Sequence, residues 1–302
     1  MQIPAATIAD WWWIPITLWA AFAQTIRNAA QRSLTAELGT LGATLVRFLY
    51  GLPFAFLWLL LVLRFTGAKL PDLTAAFLLW VFVGAVSQIA ATALLLRVMQ
   101  ERNFALGVAY SKSEVLLVAI FGLLVLGDPI TLSLALAVAC GTVGVLCLTP
   151  QGLKLSFQAK PALLGLASGA GFAFASIGYR GATLALPDAG FLMVSAFALA
   201  VAQLMQTGIL GGWLLARDPG VVGRVLKAWK RSLLAGFMGA AASAGWFAAF
   251  AIEPAAHVRT LGLVELLFAY AVSLKLFREK FSRLELAGIG LIAVGVAAVT
   301  ML

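Results

Sequence analysis

Lys112 and Glu114 stand two residues apart in the middle of one apolar run, and Glu265 stands in the middle of another. An ionisable group in such surroundings costs about 3 kcal/mol unless a partner or water meets it, so each needs an ion pair, a cavity or a ligand. Residues two apart on a regular helix diverge by about 200°. Lys112 and Glu114 are therefore expected on different sides of their helix, one lining a cavity and the other clamping a neighbour. Arg47 lies a turn or two inside its own run, where a long side chain is expected to snorkel to the interface. Gln24, Asn28, Gln88, Ser111, Ser168, Ser176 and Ser243 are uncharged polar residues at similar depth. Such groups bond a neighbouring helix or line a polar cavity, and Gln88 ranks first for the cavity because it is midspan. Tyr110, Trp246 and Tyr270 add aromatic surface, Tyr110 one turn before Glu114. An aromatic, polar-tipped cavity suits a ligand with an apolar body and a charged end.

The residue inventory excludes most catalysis. The chain has one histidine, no Gly-x-Ser-x-Gly and no acidic metal motif, so a nucleophile with a base, a metal centre or any cofactor is not expected. His257 lies with Glu253 and Arg259 near the mouth between two runs, as an interfacial cluster or a proton relay. Cys140 and Cys147, seven apart on one run, read as packing residues. Trp11, Trp12, Trp13 and Trp58 read as an interfacial belt or as packing.

The elements that must position these groups follow from composition. Of 302 residues 63% are apolar and 11% charged, too apolar to dissolve as a globule. A helix needs about 20 apolar residues to cross the hydrocarbon. Ten runs qualify, near 11–31, 39–65, 74–99, 104–126, 130–149, 161–184, 189–216, 231–252, 255–277 and 283–302. Pro71, Asp128-Pro129, Pro150, Pro187-Asp188 and Asp218-Pro219-Gly220 punctuate them, and no connection is long enough for a soluble domain. The expected fold is all-α, a polytopic membrane protein whose chemistry lies inside the bundle. The net charge of +9 is scattered between runs, so it reads as a topology signal and implies no nucleic-acid partner. Small residues at every fourth position, Gly165, Gly169 and Ala173, then Gly236, Ala240 and Ala244, allow close helix approach.

Residues 105–148 fall on 256–299 at a constant offset, with Glu114 on Glu265 and Val143-Gly144-Val145 on Val294-Gly295-Val296. Arg32, Thr35 and Leu38 similarly fall on Arg180, Thr183 and Leu186. Two units are expected, 1–150 and 151–302, each of five spans. Because five is odd, the second unit must insert upside down, the architecture of alternating-access transporters.

Ten spans as five plus five, the short charged turns at Leu126-Gly127-Asp128 and Phe277-Arg278-Glu279-Lys280, and the Gly-Thr-Val-Gly-Val and Ile-Ala-Val-Gly-Val tails resemble the drug/metabolite transporter superfamily. Within it the sequence is most similar to EamA-type exporters of aromatic amino acids. The resemblance implies a basket of helices around a central cavity lined by spans 1, 3, 4, 6, 8 and 9, with the fifth and tenth peripheral. It implies a small-molecule substrate, an aromatic or neutral amino acid first and a cationic drug second. Many relatives carry a proline early in the fourth and ninth spans; this chain has Ser111-Lys112 and Gly262-Leu263 there. The residues expected at the cavity are Gln24, Gln88, Tyr110, Ser111, Lys112, Glu114, Ser243, Trp246 and Glu265. A phosphorylated substrate would need paired cations at depth, and Lys112 and Arg47 are the two the runs supply.

Lys and Arg divide fifteen to four between the odd and the even connections, with Arg27 counted on one side and Arg180 and Arg259 on the other. The positive-inside rule makes the odd connections cytoplasmic and puts both termini outside a plasma (inner) membrane. A monomer in the lipid bilayer is expected.

Overall fold

The structure, a computed structural model, describes residues 11–101, 104–148, 159–276 and 283–301. Among them every regular element is helical. In chain order these are α1 (Trp13–Leu49), α2 (Leu52–Thr66), α3 (Ala75–Glu101), α4 (Phe104–Ser111), α5 (Glu114–Phe121), a π turn (Gly122–Leu126), α6 (Leu132–Leu148), α7 (Ala159–Leu184), α8 (Phe191–Arg217), α9 (Pro219–Lys227), α10 (Trp229–Ile252), α11 (Ala255–Leu261), α12 (Val264–Leu276) and α13 (Arg283–Val299). Six stretches are long and apolar enough to cross a membrane, and two shorter apolar helices accompany them.

The packing differs from that of a water-soluble globule in that apolar side chains face outward as well as inward while several charges are buried. Large apolar side chains face outward, Phe65 and Leu132 each 78% exposed, whereas Arg27 and Arg47 are 0% and 1% exposed. A multi-pass membrane protein has this distribution, because lipid is as good a solvent for leucine as a protein interior and a far worse one for guanidinium.

The first of the six stretches runs 54 residues, Trp13–Thr66. As one rod it would measure about 81 Å, far beyond the roughly 30 Å of hydrocarbon. It breaks at Gly39, whose φ of 71° and ψ of 173° belong to a region open essentially to glycine. The arms on either side must fold back. Arg27 and Arg47 would be about 30 Å apart on a continuous helix, yet the stems of both lie against Gly239 of α10. The first helix thus continues past residue 31, where the apolar run alone would end it, up to the glycine.

Two further departures concern the connections. Asp218-Pro219-Gly220 starts the nine-residue helix α9, with the Asp218 side chain accepting from the Val221 N–H and Pro219 at the first turn. The Tyr50 hydroxyl donates to the Val225 carbonyl at 3.0 Å, tying α9 to α1. The fourth and ninth spans, expected as continuous helices, are each interrupted. Between α4 and α5, and between α11 and α12, the backbone tightens to i−3 hydrogen bonds, Lys112 N–H to Ala109 and Leu263 N–H to Thr260. No proline is needed for the interruption.

The most extensive helix pairs are α1 with α10, α3 with α7, and α6 with α13. Small residues bring them together. A methyl at Gly178 would sit 2.7 Å from the Gly84 nitrogen, and one at Gly245 2.8 Å from the Ala20 Cβ.

Candidate functional site

Gln24, Arg27, Asn28 and Gln31 lie at i, i+3, i+4 and i+7 and form one polar stripe on α1, all of it buried. Gly239, Ser243 and Trp246 share a face of α10 opposite that stripe. The interruptions in α4–α5 and α11–α12 bring Lys112, Glu114, Arg259 and Glu265 into the space between.

Glu265 is the hub. Its Oε2 accepts from Gln24 Nε2 at 2.6 Å and pairs with Lys112 Nζ at 2.5 Å, while its Oε1 accepts from Asn28 Nδ2 at 2.9 Å. Lys112 Nζ also lies 3.3 Å from Glu114 Oε1, which stands 3.6 Å from Arg259 Nη1. Arg259 donates through Nε to Ser176 Oγ at 2.8 Å and lies over the Trp246 ring, 4.5 Å from its centroid. Trp246 Nε1 donates to Gln24 Oε1 at 2.9 Å, closing the circuit.

Lys112 and Glu114 therefore do meet, against the expectation for a regular helix. The tightened turn reduces their angular separation to about 120°, and the lysine stem spans the remainder. Gly169 of α7 allows this geometry: a methyl there would lie 2.1 Å from Ser113 Oγ and 2.9 Å from the Ser111 carbonyl.

Three arginines sit where the sequence reading did not put them. Arg27, counted with a connection, is midspan, and donates from Nη2 and Nε to Asn28 Oδ1 at 2.6 and 3.2 Å. Arg47 does not snorkel; Nη1 donates to Thr92 Oγ1 at 3.0 Å and Nη2 to Ser243 Oγ at 3.4 Å. Arg259 leaves the His257 cluster for the centre. Among the described residues the cations buried at this centre are thus four, Arg27, Arg47, Lys112 and Arg259, against the carboxylates Glu114 and Glu265, while a fifth buried cation, Arg180, lies apart from it. The i, i+3, i+4, i+7 spacing around Arg27 was the sequence signal for the first of them.

Gln88, Ser111 and Ser168 bond outside this network. Gln88 Oε1 accepts from the Tyr179 hydroxyl at 2.9 Å and from Gln206 Nε2 at 2.7 Å, a separate uncharged triangle between α3, α7 and α8. The Ser111 hydroxyl donates to the Val108 carbonyl of its own helix, and Ser168 donates to the Ala91 carbonyl across the α3–α7 contact. Tyr110 packs over Gly165, where a methyl would lie 2.3 Å from the Tyr110 Cβ. Tyr270 is buried.

At one end of the bundle His257 Nδ1 pairs with Glu253, beside the Trp13 ring, which is buried and not part of an exposed belt. Asp128, in the connection after the π turn, has its carboxyl raised by burial; Arg180 and His257 draw it down and Glu253 pushes it up. Arg180 donates to the Phe250 carbonyl.

Two apolar grooves flank α1. One, about 510 Å³, lies between Phe22, Ile26, Leu234 and Phe268; the other, about 410 Å³, between Trp19, Phe54, Trp58 and Phe237. Neither is lined by a residue of the charged centre.

No family model matches the chain, and no curated protein matches it. Among solved structures 27 chains match. One, described only as "Crystal structure of protein", aligns with a TM-score of 0.68 at 15% identity over 96% of this chain and 96% of its own. At that identity the likeness is one of fold.

Proposed function

We propose that this chain is a transporter that moves a small amphipathic metabolite across a membrane by alternating access between two inverted five-helix halves, 1–150 and 151–302. The observation that carries the proposal is the buried ionic centre, to which both halves contribute, with Glu114 and Glu265 at equivalent positions. Lys112 and Glu114 come from one half, Arg259 and Glu265 from the other, and both interruptions fall at equivalent positions under the 151-residue offset. A static protein has little use for four desolvated cations at its middle, whereas a pathway needs polar groups there.

The contact pattern supports the inverted repeat. Exchanging the halves turns the α1–α10 pair into the α7–α3 pair and leaves the α6–α13 pair unchanged. Gly144 approaches Gly288 and Ile292, and Gly295 approaches Ala137 and Gly141, the same contact read from either half. The centre draws on the spans that the drug/metabolite transporter resemblance implies, with Arg47 of the second added.

Aromatic and neutral amino acids head the candidate substrates on that resemblance. A cationic drug draws less support, because Glu114 and Glu265 already face cations. Removing midspan Arg27 and Arg259 from the count leaves basic residues fourteen to three in favour of the odd connections, which supports cytoplasmic odd connections and outward termini. Counterflow in proteoliposomes against labelled amino acids, nucleosides and cations tests the function. Saturable exchange of an aromatic amino acid is expected, and absence of exchange for every class would leave a receptor or assembly subunit as the reading.

A further inference from the structure

Among the described residues Arg27 and Arg47 are the two largest side chains that are fully buried, and their stems adjoin. Arg47 Cγ and Arg27 Cδ come within 3.1 and 3.4 Å of where a Cβ would stand on Gly239. Among the described residues neither forms an ion pair. Arg27 spends two donors on one amide oxygen, and Arg47 meets two hydroxyls. Arg27 Nη1 and Arg47 Nε are buried with no hydrogen-bond partner. The remaining cations, Lys112 and Arg259, are matched one for one by Glu114 and Glu265. The whole excess positive charge of the centre therefore resides on this pair.

Two arginines with adjoining stems, each keeping an idle N–H group, offer donors for oxygens, since guanidinium presents paired donors that fit a carboxylate or phosphoryl group. A zwitterion would leave the excess in place, because its ammonium brings back the charge its carboxylate removes. An amine would add to it. We infer that the substrate is a small organic anion whose oxyanion binds between Arg27 and Arg47, with Gly239 leaving the room for both stems. The inference rests on the transport reading and sharpens it: the carboxylate is the recognised group, and an acid lacking the ammonium binds better than the amino acid. The apolar body then has Trp246, Phe247 and Phe250 further along α10, all buried.

The test uses one phenyl body carrying four charges: phenyl phosphate, 3-phenylpropionate, phenylalanine and phenethylamine. Titration calorimetry on the full-length protein in detergent should rank the two anions above phenylalanine by at least about tenfold, with no binding of phenethylamine. Phosphate above propionate would identify a phosphoryl group as the preferred oxyanion, and the reverse a carboxylate. Arg47→Gln and Arg27→Gln should each weaken anion binding at least about tenfold. Arg47→Gln should also melt no lower than wild type without ligand, because it removes a charge that has no counter-ion. If a variant does not fold, the rank order on the wild type still decides. Equal affinity for the four compounds, a preference for phenylalanine or phenethylamine, or unchanged anion binding in both folded variants overturns the inference. Counterflow of the same compounds separates it from the transport reading. Exchange of phenylalanine alone would overturn the anion site and keep transport, whereas anion binding without exchange of any compound would do the opposite.

Discussion

Replacing Glu265 by glutamine removes one negative charge from the hub without changing its shape, so the effect isolates electrostatics. The carboxylate receives Lys112 at 2.5 Å, Gln24 at 2.6 Å and Asn28 at 2.9 Å, and is 1% exposed. Without its charge, four cations face Glu114 alone. Removing one partner of a buried pair costs about 3–5 kcal/mol. At about 2–4 °C per kcal/mol, the melting temperature in detergent should fall by about 6–20 °C. Lys112→Met should be milder, about 1–2 kcal/mol, because Glu114 keeps Arg259 at 3.6 Å and Glu265 keeps its two amides. The double variant should recover part of the loss, with a coupling energy of about 1.5–3 kcal/mol. Glu265→Gln melting within about 2 °C of wild type, or two effects that simply add, would refute the reasoning that Glu265 holds the centre together.

Lys112→Ala and Glu114→Gln should lose counterflow while remaining folded by size-exclusion chromatography; unchanged flux in both would move the site to α3 and α10. Gly39→Ala forces a side chain into a backbone region costing about 1–3 kcal/mol, so its melting temperature should drop although no atom lies within 4 Å of the added methyl. Burial raises the Asp128 carboxyl, so its charged form opposes folding above that pKa and the penalty is absent below the ordinary carboxylate range. Asp128→Asn should therefore raise the melting temperature at neutral pH, with the gain vanishing towards pH 3–4, as a pH series of melts would show. A C-terminal green fluorescent protein should stay dark if the terminus faces outward; a fluorescent fusion would reverse the orientation.

The helices were legible because a run of apolar residues in this composition has one structural outlet, and Pro71, Asp128-Pro129 and Pro187-Asp188 do fall in connections, while Pro150 lies outside the described residues. Lys112, Glu114, Glu265, Gln24 and Trp246 stood out because an ionisable or amide group at depth has few alternatives to a network, and they do share one. Arg27 was hidden by its position at the end of a marked run; only the polar stripe through Gln24, Asn28 and Gln31 places it inside. Arg47 was hidden differently, since its partner Ser243 lies 196 residues away and no local window contains both. Lys112 and Glu114 meet although a regular helix would part them, and the tightened turn there carries no proline to announce it.

The return of the chain at Gly39 has a consequence for biosynthesis. Arg27 and Arg47 enter the membrane on the first hairpin, but the α10 residues that receive them are made about 200 residues later. At about 5–20 residues per second, the hairpin waits about 10–40 s for α10, with Asn28 and then Thr92 the partners made before it. During that interval two guanidiniums must be sheltered by the insertion machinery, by lipid headgroups or by water drawn into the bilayer. The first hairpin is therefore the stage at which newborn chains are most exposed to quality control, and substitutions in α10 would be expected to act on yield through a segment already made.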